Sequence, residues 1–569
     1  MKVAIAAAIA VLALPASALA DELMPGVTYE RDVESVGGRQ VVVHSVTTPR
    51  PLQGGLYELK PVLSGGTITG ADTVTAMQRR LASTATVVGI NGDFSSFDGG
   101  YPSGMLMLDG VLHGRPTSAR STLGIGLDGL LRIARIGFYG TWGIGDAERV
   151  ALDELNRPLE PGQVGLFTPA WGDVTPARPG ALDIVLGGLP ATTPNVDHAA
   201  TIASVAPGGG TSIPSGGAVI QATGNSASGL RALAQPGSPV VTRLILKPWW
   251  TQVQDAIGGG PALVRHGRSA LPTTEGFTAY QLLPRHPRSA VGQLADGRIL
   301  FLTVDGRQAA SAGVTMRQLA QLLLDRGVVT GMALDGGGSS TLAFDGRVLN
   351  ALTSGERAVA DALMVLYYGV YAKEPSYPVS SPNGDGVADD QEIGYKLVRP
   401  ATVDAKLVGP GGEVAWSDSG AREPGAYEVP PELLAGLREG AWQLTVSAVD
   451  ANAAQSDATR SFSVNKTLGF LSLSTSRLEI RKRRPVKLAV GFRVAREAEL
   501  AVTIENAAGQ RIRTLVDGRR RRPGRVSTSW DGLGASGRRV PSGVYRVRVA
   551  AENRFGVVEL VRTVVVRRR

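Results

Sequence analysis

Three aspartates in this sequence stand where an apolar run breaks off into glycine. They are Asp93 in Asn91-Gly92-Asp93-Phe94-Ser95, Asp305 in Val304-Asp305-Gly306-Arg307, and Asp335 in Leu334-Asp335-Gly336-Gly337-Gly338-Ser339-Ser340-Thr341. A short apolar run reads as a buried strand, and the glycines after it let the backbone turn sharply or approach a ligand closely. The carboxylate then sits at the strand's carboxyl end. Around Asp335, the amides of the turn and the hydroxyls of Ser339, Ser340 and Thr341 form a cradle suited to a phosphate or to sugar hydroxyls. The competing reading is a plain turn: Asn-Gly is a strong hairpin signal, and Asp-Gly-Arg recurs at Asp296, Asp345 and Asp517.

Other chemistries fit less well. The 5 histidines make no HExxH, no GxSxG surrounds Ser339 or Ser340, and no P-loop is present. With 0 cysteines, disulfides, thiolate metal sites and a cysteine nucleophile are excluded. Gly124 to Gly129 spells G-x-G-x-x-G, but Asp128-Gly129 reads as a turn into a strand over 130–138 and not as the start of a helix, so a dinucleotide site is rejected.

The elements that must position the aspartates follow from periodicity. A helix is predicted over 72–81, capped by Asp72 with Val74, Met77 and Leu81 on one face, and the strand 86–90 then carries Asn91 and Asp93 outward. The strand 299–304 ends in Asp305. Thr315 and Gln318 form a capping box for a helix bearing Met316, Leu319, Leu322 and Leu323, which Gly327 terminates before the strand 329–334. This order predicts a βαβ unit with parallel strands and a right-handed crossover, whose carboxyl ends bring Asp305 and Asp335 to one rim. Residues 40–46 alternate as a strand in which His44 reads as structural, whereas 150–260 mixes short strands with Gly/Pro loops and yields no clear organisation.

At 569 residues the chain exceeds one hydrophobic core. Residues 1–20, with Lys2, the apolar run 3–14 and Ala18-Leu19-Ala20, read as a secretory signal peptide, which predicts a secreted, periplasmic or cell-surface protein without a membrane span. The net charge of +9 is unevenly placed: residues 467–569 hold 24 Lys+Arg against 8 Asp+Glu, leaving a net −7 for the rest. The basicity is therefore local and does not mark the whole chain as a nucleic-acid binder.

Asn91-Gly92-Asp93-Phe94, His286-Pro287-Arg288-Ser289-Ala290-Val291-Gly292, Val304 to Arg307 and Leu334 to Ser340 occur in an order that resembles the four signature blocks of the phosphodiester glycosidases, over roughly residues 30–370. The resemblance implies an α+β catalytic domain with a mixed sheet over 21–371. Its implied activity is hydrolysis of the bond between a sugar's anomeric carbon and a phosphate diester, with no cofactor required. Asp335 is then the nucleophile or base and Asp305 or Asp93 its partner. Arg288, with Arg307 beside it, would bind the phosphate, since a guanidinium grips phosphate oxygens bidentately and stays charged. Asn91 would hold a sugar hydroxyl, and Gly336, Gly337, Gly338, Ser339 and Ser340 would form the cradle. The expected partner is a sugar phosphodiester or an anionic envelope polysaccharide. Two rival readings are a non-catalytic carbohydrate-binding or envelope-scaffold protein, and a phosphodiesterase that cuts the P–O bond.

Residues 372–466 and 467–569 resemble two all-β immunoglobulin-like sandwiches of bacterial surface proteins and of the flagellar-hook capping protein, on Ser381-Pro382-Asn383-Gly384-Asp385-Gly386, Trp530-Asp531-Gly532 and Val540-Pro541-Ser542-Gly543-Val544-Tyr545. Lys373 to Pro378 reads as a linker before them. Asn383, Asp385, Asp389 and Glu392 stand at EF-hand offsets with Gly386 at the turn, a candidate calcium set, although Ser381 replaces the usual first Asp. The alternative there is a hydrogen-bonded turn.

Overall fold

The computed structural model describes residues 21–95, 100–189, 191–271, 275–480 and 487–568. The predicted signal peptide and the basic run 481–484 lie outside them. Strand takes 52% and helix 7%, so the molecule, with its expected all-β C-terminal part, is mostly β in many sheets. Two compact units divide it, Met1–Tyr368 and Gly369–Arg569.

In the first unit, an eight-stranded sheet runs in the order Asp21–Met24, Val27–Val36, Arg39–Thr48, Ile299–Val304, Arg288–Leu294, Val328–Ala333, Ala262–Arg265, Arg268–Ser269. Every neighbouring pair in it is antiparallel. The predicted βαβ unit is present with a strand inserted between its two members. Ile299–Val304 and Val328–Ala333 do run parallel, but Arg288–Leu294 lies between them, antiparallel to both. The helix Met316–Asp325 joins them as expected, with Thr315 and Gln318 completing the capping box. It buries Leu319, Leu322 and Leu323 against the sheet, the favourable burial that holds so short a helix in place.

A five-stranded sheet, Arg347–Val348, Leu342–Phe344, Thr86–Asn91, Asp361–Tyr367, Tyr57–Leu63, supplies the other wall of the site. The helix Val74–Leu81 packs on it. Its cap is Thr73, not Asp72: the Thr73 side chain accepts the Ala76 N–H, while Asp72 bridges to Val359 and pairs with Arg80. Most of the stretch without clear organisation, 150–260, belongs to a second eight-stranded sheet drawn from residues 137–247 around Trp142, and its many short strands leave no single period in the sequence.

The second unit contains two packed pairs of sheets with one strand order repeated. Residues 371–464 form a three-stranded sheet, Tyr371–Ala372, Gly394–Leu397, Gly425–Glu428, against a five-stranded one, Val379–Ser380, Gln455–Val464, Gly440–Asp450, Ala401–Val408, Val414–Arg422. Residues 468–568 repeat it with Leu468–Leu473, Leu488–Val494, Gly524–Trp530 and with Arg477–Ile480, Gly556–Arg568, Gly543–Asn553, Ala498–Asn506, Arg511–Arg521. The expected linker 373–378 belongs to this unit. Lys373 and Ser376 donate to the carbonyls of Gly394 and Glu392, and Tyr377 exchanges bonds with the Gln391 side chain.

The candidate calcium set is corrected by its own hydrogen bonds. Asp389 accepts the N–H groups of Asn383, Gly384 and Gly386, and Asp385 accepts those of Val387 and Phe470. Asn383 Oδ1 takes the Asp385 N–H, and Glu392 pairs with Lys373. The oxygens a cation would need are turned to N–H donors, so this is the hydrogen-bonded turn.

Candidate active site

The two walls meet through Asn91. Its side chain is fully buried: Oδ1 accepts from Ser289 Oγ at 2.7 Å and Thr341 N at 3.1 Å, and Nδ2 donates to the Asp335 carbonyl at 2.8 Å. Asn91 is thus a clasp between strand ends, not a ligand for a sugar hydroxyl. The Asp335 N–H donates to the Gly92 carbonyl at 3.0 Å, so the two signature turns lie back to back.

Asp335 opens into a cleft of about 690 Å³ whose lining includes Phe94, Arg120, Phe277, Tyr280, His286, Arg288, Arg307, Gly336, Gly337, Ser339 and Arg357. Burial pushes its carboxyl up to about 6. Bonds from Ser339 and Gly336 oppose that shift, the charge of Asp93 adds to it, and Arg357 opposes it.

Asp93 and Asp305 do not line the cleft. Asp305 is 3% exposed, bonded to His44 Nε2 at 3.0 Å and to the Ala351 N–H at 3.1 Å, with Tyr29 Oη on the other ring nitrogen of His44. The chain Tyr29, His44, Asp305 ties the strand Arg39–Thr48 to the rim, a structural role for both the histidine and the aspartate. Asp93 is 1% exposed and accepts the Gly104 N–H, and a Cβ on Gly104 or Gly258 would collide with its carboxylate.

Behind Asp335 stands a residue that sequence reasoning missed. Asp361 is fully buried, and its Oδ1 accepts the Asp93 N–H at 2.8 Å. Asp93 Oδ1 and Asp361 Oδ2 are both buried without a partner among the described residues. Burial, then the charge of Asp93, holds the Asp361 carboxyl well above the usual range, and burial raises Asp93 as well. Two such carboxylates cannot both ionise cheaply, since the charge on one raises the other. A weaker signal was available: Asp361 interrupts the apolar stretch from Val359 to Leu366, but it opens a strand, whereas Asp335 follows one.

The cations divide by how their donors are used. The Arg288 guanidinium is engaged by the carbonyls of Val314, Gln281 and Pro284, and burial, then Arg307, pushes it down to about 10. Arg307, in the left-handed region at φ 58°, donates to His286 Nδ1 at 3.0 Å and faces Gly337. Strained backbone of this kind clusters at functional sites. Arg357 reaches Ser339 Oγ at 3.4 Å, and its guanidinium lies against the Gly338 backbone. Gly337 takes φ 67°, which admits the turn that aims Ser339 into the cleft. Ser340 is buried behind the turn. Arg120 lies over the Phe94 ring at 5.1 Å, and Phe94 meets Phe277 at 5.7 Å. Arg120 and Arg357 sit in no signature block, and no pattern in the sequence pointed to them.

Comparison with known proteins places this site in a family context. Residues 195–366 match the phosphodiester glycosidase family model, and residues 480–554 match the FlgD Ig-like domain. The uncharacterized SPbeta prophage-derived protein YomE of Bacillus subtilis strain 168 is 40% identical over 102 residues, 18% of this chain, and the match spans only 16% of that relative's length. A hypothetical protein from Synechocystis shares the fold at 23% identity and TM-score 0.52, over 60% of this chain and 62% of that one. The zebrafish N-acetylglucosamine-1-phosphodiester alpha-N-acetylglucosaminidase catalytic domain superposes at 14% identity and TM-score 0.32, over 60% of this chain and 83% of that one.

Proposed function

Starting from a chain that carries a phosphodiester glycosidase domain and a FlgD Ig-like domain, we propose that the Asp335 cleft hydrolyses a sugar-1-phosphodiester at the glycosidic bond. The observation that supports this reading most is that Asp335 is the one carboxylate among the described residues lining the cleft, where it opens beside Arg120, Arg307 and Arg357. Ordinary glycoside hydrolysis needs a second carboxyl group to protonate the leaving oxygen. A departing phosphomonoester is a weak base, so that demand falls and stabilising its charge matters more, which arginines do. Asp335, ionised above about pH 6, acts on the anomeric carbon as nucleophile or through a water as base. Arg307 and Arg357 hold the phosphate, while Arg288, tied to three carbonyls, holds the wall in place. Asp93 and Asp361, both raised by burial, stand behind the site, and the charge of Asp93 adds to the field Asp335 feels.

The same reading makes residues 371–464 a second Ig-like domain, since they repeat the strand order of the matched one. Export rests on the leader pattern of residues 1–20. No helix among the described residues is long and apolar enough to cross a membrane.

The test is a panel of sugar-1-phosphodiesters with phosphomonoester release as readout, run on the full chain and on Asp335→Asn. Release that vanishes in the variant is the expected result. Binding without release in the unaltered chain would favour a carbohydrate-binding protein instead.

A further inference from the structure

The outer face of the three-stranded sheet in the last domain differs from the rest of that domain's surface. Along Leu488–Val494, alternate residues Leu488, Val490, Phe492 and Val494 enter the core, so Gly491 and Arg493 face outward. Two rows then cross the face. One sets Ser472 opposite Gly491 and Gly491 opposite Ser527; the other sets Arg493 directly opposite Arg525. With no side chain on Gly491, the serine row becomes the floor of a trough of about 820 Å³.

Like charges directly opposite on neighbouring strands destabilise a sheet. Neither Arg493 nor Arg525 has an ion-pair partner among the described residues. A neighbouring concavity shows the ordinary arrangement, with Arg496 paired to Glu439 and Arg520 to Glu497. The first sandwich is an internal control. Counted from the strand ends, its matching pair is Lys396 opposite Ala426, a single cation lying 6.0 Å over the Tyr371 ring.

Phe470 borders the trough. The pairing of Leu468–Leu473 slips between Gly469 and Ser472, a bulge that re-aims a side chain. Phe470 sits in it at φ 58°, a conformation costly for a residue with a Cβ. Asp385 Oδ2 fixes it by accepting its N–H at 2.6 Å, and Asn383 packs over Gly469. The result is a phenyl ring 47% exposed beside two unpaired arginines.

We propose that this trough binds an acidic sugar unit of a polysaccharide. Arg493 and Arg525 take its oxyanion, Ser527 and Ser472, whose own proton goes to the Gly491 carbonyl at 3.2 Å, accept from ring hydroxyls over Gly491, and Phe470 packs on the apolar face of the ring. The choice of a saccharide rests on the glycosidase reading of the first unit. A lone exposed ring, not a series of them, also distinguishes the trough from a channel for single-stranded nucleic acid, which stacks successive bases.

The test uses the full chain labelled with 4-fluorophenylalanine, in which the signal lost from Phe470→Gly identifies the ring. Hexagalacturonate, a carboxylate probe, or a phosphomannan pentasaccharide, a phosphate probe, is expected to move that signal saturably. The double variant Arg493→Gln, Arg525→Gln is expected to raise the apparent Kd at least about 10-fold, the scale of losing one charge-assisted bond. Arg520→Gln, in the neighbouring concavity, leaves the Kd unchanged. Phe470→Gly relieves the left-handed strain and melts no lower than the unaltered chain, whereas a ring kept for packing would lower the melting temperature. No shift with either saccharide, a shift that the double variant does not weaken, or an equal shift with single-stranded DNA of the same charge would overturn the site. The titration is read at Phe470 and is repeated with Asp335→Asn, so failure of hydrolysis in the first unit leaves its outcome intact.

Discussion

Two turns in this molecule are written with the same residues and do different things. Asp335-Gly336-Gly337-Gly338-Ser339 and Asn383-Gly384-Asp385-Gly386 with Asp389 each combine carboxylates and glycines at the edge of a β-layer. In the second, three backbone N–H groups close on Asp389. Burial raises its carboxyl, but the bonds from Gly386, Asn383 and Gly384 prevail and hold it below the usual range. In the first, Asp335 has the Gly336 N–H and the Ser339 hydroxyl, buried carboxylates behind it and open cleft ahead, and it stays near 6. Composition makes the turn. The number of donors left over decides whether its carboxylate can act on something else.

The largest effect expected from that contrast is on activity. Asp335→Asn should lower kcat/KM on a sugar-1-phosphodiester about 10³-fold, within the range of losing a positioned acid–base group. Asp389→Asn should leave the rate unchanged. Steady-state kinetics on both variants checks this, and an equal fall in the two would erase the distinction. Next, Arg307→Lys and Arg357→Lys keep the charge but lose the fork, and each should cost about 10²-fold in kcat/KM. Arg288→Lys should instead appear mainly as a lower melting temperature, since its donors hold three carbonyls.

The pH dependences should run in opposite directions. Activity should rise as pH passes about 6 and Asp335 loses its proton. Its folded-state pKa lies above the ordinary aspartate value of about 3.9, so the stability it contributes is full below about pH 4 and is lost as pH rises through 6. For Asp389, held low, the contribution is present above about pH 4 and lost as pH falls through its depressed pKa. Melting curves of Asp335→Asn and Asp389→Asn against pH should therefore diverge from the unaltered chain at opposite ends. The smallest effect expected is Asp389→Ala, a loss of about 1 kcal/mol by denaturant titration, because the turn is partly exposed. Calcium should not change that figure.

What could be read from sequence was what local pattern controls. The capping box at Thr315 and Gln318, the parallel run of the strands ending at Asp305 and Asp335, and the prominence of Asp335 all follow from apolar runs and their breaks. Long-range pairing was not legible. Nothing local says that Arg288–Leu294 inserts between those two strands, or that His44 reaches Asp305 across 261 residues of chain. The role given to Asn91 failed for a related reason: an amide at a strand end suits a ligand or a clasp equally, and only its three buried partners decide.

The most direct test of the account is hydrolysis of a sugar-1-phosphodiester in oxygen-18 water, with both products weighed. Attack at the anomeric carbon in the Asp335 cleft predicts one heavy oxygen in the released sugar and none in the phosphomonoester. Label in the phosphate would mean that water attacks phosphorus, and it would contradict the reading of this cleft as a glycosidase site.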